Sequence, residues 1–206
     1  MNLTQTLRAS SLRICDSLGL PTNPSLPKLD ASLTLRSATE ISRRALALNV
    51  IVACSYGFSR ESGLAWLQEY NLSQELSGAE SAFLQGESEN VQSFQLLAES
   101  LFALAWVLGL VNSFSWNAAP PTNLVFIFPN LKVQETPHRF TGTVKLRREA
   151  AVLSALDASY CIHWSCLEIQ SNGQRPSVNV RAIEYRRWAL EWVMGSEAWD
   201  EISLDT

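Results

Sequence analysis

Four side chains invite a chemical reading: Glu99, Asp157, His163 and Arg147. Glu99 stands between Leu96-Leu97-Ala98 and a long apolar run, and Asp157 falls inside an apolar helical stripe. A carboxylate in such a place loses water. It must gain a cation and hydrogen bonds, or take up a proton. Glu99 and Asp157 as acid and base and His163 as proton carrier, together with Arg147, would make a hydrolase-type kit. The plainer reading makes the carboxylates internal ion pairs, since structural networks perturb carboxylates as catalytic ones do. It is preferred, because no spacing brings Glu99 to Asp157, and His163 lies six residues from Asp157, off its face and beside Trp164. The residues expected to form the pairs are Arg36, Glu40, Arg43, Arg44, Glu99, Arg147, Asp157, Arg186 and Arg187. Glu40 is three and four residues before Arg43 and Arg44, within reach along one helix.

Other routes to chemistry are thin. The chain has no phosphate-binding glycine loop, dinucleotide fingerprint, zinc-protease helix or nucleophile elbow. Cys161, His163 and Cys166 resemble a metal cluster only briefly. Helical residues two apart point roughly 200° apart, so Cys161 and His163 diverge. No metal or cofactor is expected. With Cys15 and Cys54, these cysteines read as reduced thiols of a cytoplasmic protein. Met1–Ser11 has no apolar core behind a basic start, so no secretory signal is expected. The most apolar run, Leu101–Val111, spans 11 residues, against about 20 for a bilayer crossing. It is read as a buried helix, with no membrane partner.

The elements that must hold these residues are helical. Ser37-Ala-Thr-Glu40 and Ser77-Gly-Ala-Glu80 have the form of capping boxes. The first opens a helix whose inner face is Ile41, Ala45, Leu48, Val52 and Tyr56, with Gly57 as a stop. Shorter helices are expected over about 61–70 and from Ser77 to Gly86. From about 91 to 113 the pattern is apolar on nearly every side, which belongs to a central helix. Pro120, Pro121, Pro129 and Pro137 break residues 114–144 into an irregular insertion, where Asn123–Phe128 reads as a short strand or a helical turn. A long helix is expected from about Val144 to Ile169, its stripe running Leu146, Ala150, Leu153, Asp157, Tyr160, Trp164 and Leu167. A last helix covers about 178–194. The expectation is one mainly α-helical domain over 1–206, a bundle around the central helix. An N-terminal helix and extended lead-in occupy 1–35, and an acidic tail at 195–206 packs on the body.

A chain of 206 residues, 47% hydrophobic, carries enough apolar material for a substantial core. A net charge of −4 argues against a broad nucleic-acid surface. That charge is sorted. Residues 61–131 hold seven acids and no Lys or Arg, whereas residues 1–60 and 132–187 are both net basic. Either the blocks pack against each other, or the acidic block faces a basic partner. Thirteen of the sixteen cations are Arg, whose planar fork suits a poorly exposed carboxylate. The candidate binding surface is Glu61, Glu69, Glu75, Glu87, Glu89 and Trp116.

These motifs, in their order and spacing, resemble the family catalogued as domain of unknown function 4272, over most of the chain. The residues that carry the likeness are Leu35-Arg-Ser-Ala-Thr-Glu40, Leu76-Ser-x-x-Glu80, Glu99-Ser-Leu101 with Ala105-Trp106, Leu156-Asp157 with His163-Trp164, and the ending Trp199-Asp200 to Asp205-Thr206. The family tends to place an acid directly before the arginine of the last helix; here Tyr185 stands there, with Glu184 one earlier. The resemblance implies a mostly helical bacterial protein and brings no activity with it. The functional expectation is a non-enzymatic protein-binding or accessory module, with roles such as toxin neutralisation, defence or regulation. A hydrolase-type enzyme built on Glu99, Asp157, His163 and Arg147 is the alternative.

Overall fold

Local chemistry starts the two capped helices. The Ser37 hydroxyl accepts from the Glu40 amide at 3.2 Å, and the Glu40 carboxylate accepts from the Ser37 amide at 3.0 Å. This reciprocal pair satisfies donors that the first helical turn leaves free. It opens α2 (Ala38–Ser55), and Ser77 with Glu80 opens α4 (Gly78–Gln85) in the same way. Glu40 is therefore held at the cap and 3.8 Å from Arg36, not turned towards Arg43 or Arg44. The computed structural model describes residues 3–30, 33–88 and 90–205. Among these, the other α-helices are α1 (Leu3–Ser17), α3 (Arg60–Glu69), α5 (Val91–Val107), α6 (His138–Thr143), α7 (Glu149–Ser171) and α8 (Val180–Met194), and no strand is present. No described helix is long and apolar enough to cross a membrane.

The long helices stand in a row. α2 packs on α5, α5 on α8, α8 on α7, and α7 on α1, with α3 and α4 closing the outer side of α2. The protein is thus a mainly α-helical single domain. One large apolar cluster fills the space between α2, α5 and α8. A smaller one, with Cys15, Cys161, Ile162 and Cys166, sits between α1 and α7. Trp116, half-buried and edge-on to Phe114, packs against both.

Two boundaries and one burial pattern differ from the sequence expectation, for tertiary reasons. The helix expected to reach residue 113 ends at Val107, where Gly109 takes φ +72° and Leu110 donates back to Ala105 at 2.9 Å. This is a Schellman-type stop, which periodicity does not register. The helix expected from Val144 starts at Glu149. Residues 144–147 run instead past the end of α5, where Lys145 donates to Leu108 and Arg147 to Val107, both at 2.9 Å. Finally, α7 is enclosed from two sides, so residues 155–163 are buried without a break, while Ala150 and Leu167 of the expected stripe are exposed. Tyr56, expected on the inner face of α2, is also exposed.

The 114–144 stretch is irregular apart from short 3-10 turns and α6 at its end, and Asn123–Phe128 forms a 3-10 turn at Leu124–Phe126 rather than a strand. Its Phe128, Leu131 and Phe140 are nonetheless in the main core. In the tail, Trp199 is buried against Trp188 and Trp192, and Asp200 accepts from the Gly78 amide at 3.1 Å.

Gly109 joins two constraints: a left-handed backbone, and a position where a Cβ would collide with the Lys145 carbonyl. Gly109→Ala is expected to destabilise the fold by roughly 2–4 kcal/mol in urea unfolding, combining strain and overpacking. A loss below about 0.5 kcal/mol, the range of ordinary surface changes, would contradict this close approach.

Candidate functional site

The acidic and basic candidates are distributed among separate clasps. Asp157, on α7, is 3% exposed and receives Arg8 of α1 at 2.8 Å and the Ser11 hydroxyl at 2.6 Å. The remaining Arg8 donors go to the carbonyls of Leu26 and Pro27, both at 2.8 Å. Sequence reasoning placed Asp157 in an apolar setting but overlooked Arg8. The available signal was the spacing of Arg8, Ser11 and Cys15, which share one face of α1 and are all buried there.

Glu99, on α5, pairs with Arg186 of α8 at 2.6 Å. Arg186 also donates to the carbonyls of Ser115 and Ala118, and its guanidinium lies 4.9 Å over the Phe102 ring. Burial pushes the Glu99 carboxyl above its usual range, and Arg186 opposes that shift. Arg187, next along α8, holds a different set: His163 Nδ1 at 2.9 Å, Glu191 at 3.0 Å, and the tail carbonyls of Leu204 and Asp205.

Arg44 grips Glu80 through two bonds of 2.8 and 2.6 Å, with its guanidinium 4.1 Å over Trp199. Glu80 read in the sequence only as a cap, and it serves both roles. Arg43 pairs with Glu75 at 2.7 Å. Arg36 makes its shortest contacts with the carbonyls of Trp192 and Glu197. Arg147, expected to pair with a carboxylate, binds none among the described residues. It donates to the carbonyls of Trp106, Val111 and Asn112. Those groups lie at and just beyond the C-terminal end of α5, where a cation is favoured.

Chemically, these arrangements hold charge still. Glu99, Asp157 and His163 each face a different arginine, Arg147 faces backbone, and none of the four lines the small cavity beside Trp188 and Trp199 or the larger one beside Tyr56 and Phe126. The thiols are masked too: burial pushes Cys54 up to about 11, and Cys161 and Cys166 up to about 12. A thiol so rarely ionised is a poor nucleophile.

The larger cavity lies elsewhere. A groove of about 1050 Å³ runs between the α2–α3 turn and residues 120–139. Val52, Leu101, Leu124 and Phe128 supply apolar floor, and Tyr56, Val125 and Phe126 stand on its sides with 68%, 61% and 76% of their surface exposed. Asn49, on α2, is 8% exposed and also lines it, and its Nδ2, shut off from solvent, has no acceptor among the described residues. At the rim, Glu135 and Arg139 pair at 2.6 Å, and this contact, with the Asn130 amide, lowers the Glu135 carboxyl to about 2. Sequence reasoning missed the groove. Its one trace was the apolar Leu124–Phe128 run in a proline-broken segment that needs no such run for a helix.

The described residues among those proposed from sequence as a binding face are not part of it. Glu61, Glu69 and Glu87 are exposed, Glu75 is taken by Arg43, Trp116 is half-buried, and Glu89 lies outside the described residues. None of the described ones lines the groove.

A family model described as "Domain of unknown function (DUF4272)" matches residues 7–202. No curated protein and no solved structure matches the chain.

His163 generates a pH prediction. Arginine only donates, so Nδ1 is the acceptor and Nε2 carries the proton, 3.7 Å from Glu184. Desolvation, then the neighbouring Arg187 charge, lower the ring from 6.5 to about 4. The unfolded chain therefore binds the extra proton first as pH falls. Stability from this group is full above 6.5 and declines towards 4, by roughly 3 kcal/mol in total. NMR of the His163 ring nitrogens should show the neutral Nε2–H tautomer at pH 5.5; a midpoint near 6.5 would contradict the buried Arg187 contact.

Proposed function

The chain belongs to the family described as Domain of unknown function (DUF4272), and on that premise we propose that it acts as a non-enzymatic protein-binding module through the groove. The observation that carries this reading is the placement of the exposed large apolar side chains. Among the described residues there are five: Tyr56, Val125 and Phe126 border one groove, Val133 is exposed just beyond it, and Leu167, the least exposed, lies apart on α7. Single exposed apolar residues are ordinary, but a concentration around a concavity marks an interaction surface. The titratable candidates, by contrast, are clasped in the interior. The contact surface thus moves from the acidic residues favoured by sequence to an apolar groove nearby in the chain.

Net charge of −4 favours a protein partner over nucleic acid. Four free thiols, all buried, fit a cytoplasmic setting. A regulatory or toxin-neutralising role falls within this class.

A photo-crosslinking amino acid in place of Phe126, compared with one in place of Glu69, tests the reading in cells. A discrete adduct from position 126, abolished by Val125→Glu, is expected. Adducts from position 69 alone, or none from either, would contradict it. So would turnover of ester, phosphate or nucleotide substrates by pure protein that a folded Asp157→Asn variant loses.

A further inference from the structure

The end of the tail hangs on one side chain. Residues 197–200 are fixed independently of it: Arg36 donates to the Glu197 carbonyl, Trp188 to the Trp199 carbonyl, and the Gly78 amide to Asp200. Further on, Arg187 supplies the hydrogen bonds of residues 203–205 among the described residues. Its Nη1 donates to the Leu204 carbonyl at 3.2 Å and its Nη2 to the Asp205 carbonyl at 3.1 Å. Ser203 and Asp205 are exposed and Leu204 is half-buried, so little apolar burial backs those two bonds. The same Nη1 donates to His163 Nδ1 at 2.9 Å. One guanidinium nitrogen thus serves both the ring and the tail.

A guanidinium only donates, and so does an imidazole protonated on both nitrogens. Once Nδ1 carries a proton, the Arg187 contact has no acceptor and sets two cations against each other in a buried place. The imidazolium has another partner to turn to. His163 Nε2, buried without a hydrogen bond, lies 3.7 Å from the Glu184 carboxylate. We infer that the His163–Arg187 contact is an acid-operated latch on the tail: a proton on Nδ1 expels the Arg187 guanidinium, and residues 203–205 come free while Trp199 and Asp200 stay docked.

The groups around the ring agree with this order of events. From α8, Glu184 and Arg187 face it, Glu184 also pairs with Arg181 at 2.7 Å, and Glu191 holds Arg187 Nε at 3.0 Å. Burial pushes the Glu191 carboxyl above its usual range, with Arg187 opposing. Glu191 therefore gives up its charge before the ring gains one, and Arg187 is left on neutral acceptors. From α1, Arg8 shares the Tyr160 ring with Arg187, at 5.8 and 4.8 Å, and is committed to Asp157. On α7 itself, the Cys161 and Cys166 thiols stay uncharged in acid. Desolvation, then the Arg187 charge, hold the ring at about 4, so the latch is shut at neutral pH and opens in acid.

The test is backbone 15N relaxation of the full chain, followed from neutral pH to below the titration of the His163 ring. The heteronuclear NOE of the Ser203, Leu204 and Asp205 amides should collapse with the same midpoint as the ring, near 4, while those of Trp199 and Asp200 hold. Two variants separate the ring from its neighbours. His163→Asn offers a carboxamide oxygen as acceptor in place of Nδ1 and does not titrate, so its tail should stay ordered through the same range. Glu191→Gln removes the other titrating partner of Arg187 and should still release the tail together with the ring. Several results would overturn the inference: release that persists in His163→Asn, release that is lost in Glu191→Gln, a protonated ring with the tail still ordered, or a tail that loosens only when the core unfolds. Should His163→Asn fail to fold, coincidence of the ring and tail midpoints in the unaltered chain supports the latch, and their divergence refutes it.

Discussion

A buried guanidinium has five N–H donors, and a single carboxylate occupies at most two. That constraint organises this protein. Each interior arginine must reach beyond its acid for further acceptors, and the nearest spare ones are backbone carbonyls of irregular chain. Arg8 joins α1 to α7 through Asp157 and ties down Leu26 and Pro27. Arg186 joins α8 to α5 through Glu99 and ties down Ser115 and Ala118. Arg187 joins α8 to α7 through His163 and ties down the tail at Leu204 and Asp205. Three consecutive interfaces of the helix row therefore carry a buried arginine, and each arginine also fixes a segment that has no regular structure of its own. Arg147 extends the pattern without any acid, holding carbonyls at the end of α5.

This arrangement explains why the interior is charged and yet a weak candidate for chemistry. The groups that a hydrolase would need are spent on holding neighbours. A buried ion pair adds little net stability over an apolar substitute, but it penalises any packing that separates its members. Helices with weak amphipathic contrast, such as α7 with its continuous burial, gain a defined register from that penalty. The surface is then free to be specialised by another means. The insertion, anchored through Phe128, Leu131 and Phe140, stands Val125 and Phe126 against the α2–α3 turn and so makes the groove.

Local features were legible in the sequence. Both capping boxes form as read, since cap and partner lie within one turn. The helical class also follows from periodicity. The need of Glu99 and Asp157 for arginine could be argued from burial alone, and Arg186 was among the candidates for Glu99. The partner of Asp157 could not be chosen, because Arg8 is 149 residues away and is selected by how α1 meets α7. The end of α5 and the start of α7 shifted for a related reason. Residues 144–147 trade helical hydrogen bonds for contacts with α5, and nothing local announces that exchange. The groove joins residues near 50 to residues near 125, so only the folded chain reveals it.

A double-mutant cycle at Arg8 and Asp157 tests the central claim most directly. Arg8→Met and Asp157→Leu should each cost about 3–5 kcal/mol in equilibrium unfolding, since each leaves a buried charge or its acceptors unmatched. The double variant should lose far less than the sum, with a coupling above roughly 2 kcal/mol. Single losses that add up in the double variant would mean that the two groups do not hold α1 to α7 as a pair, and the account of arginine as the organising element would fail.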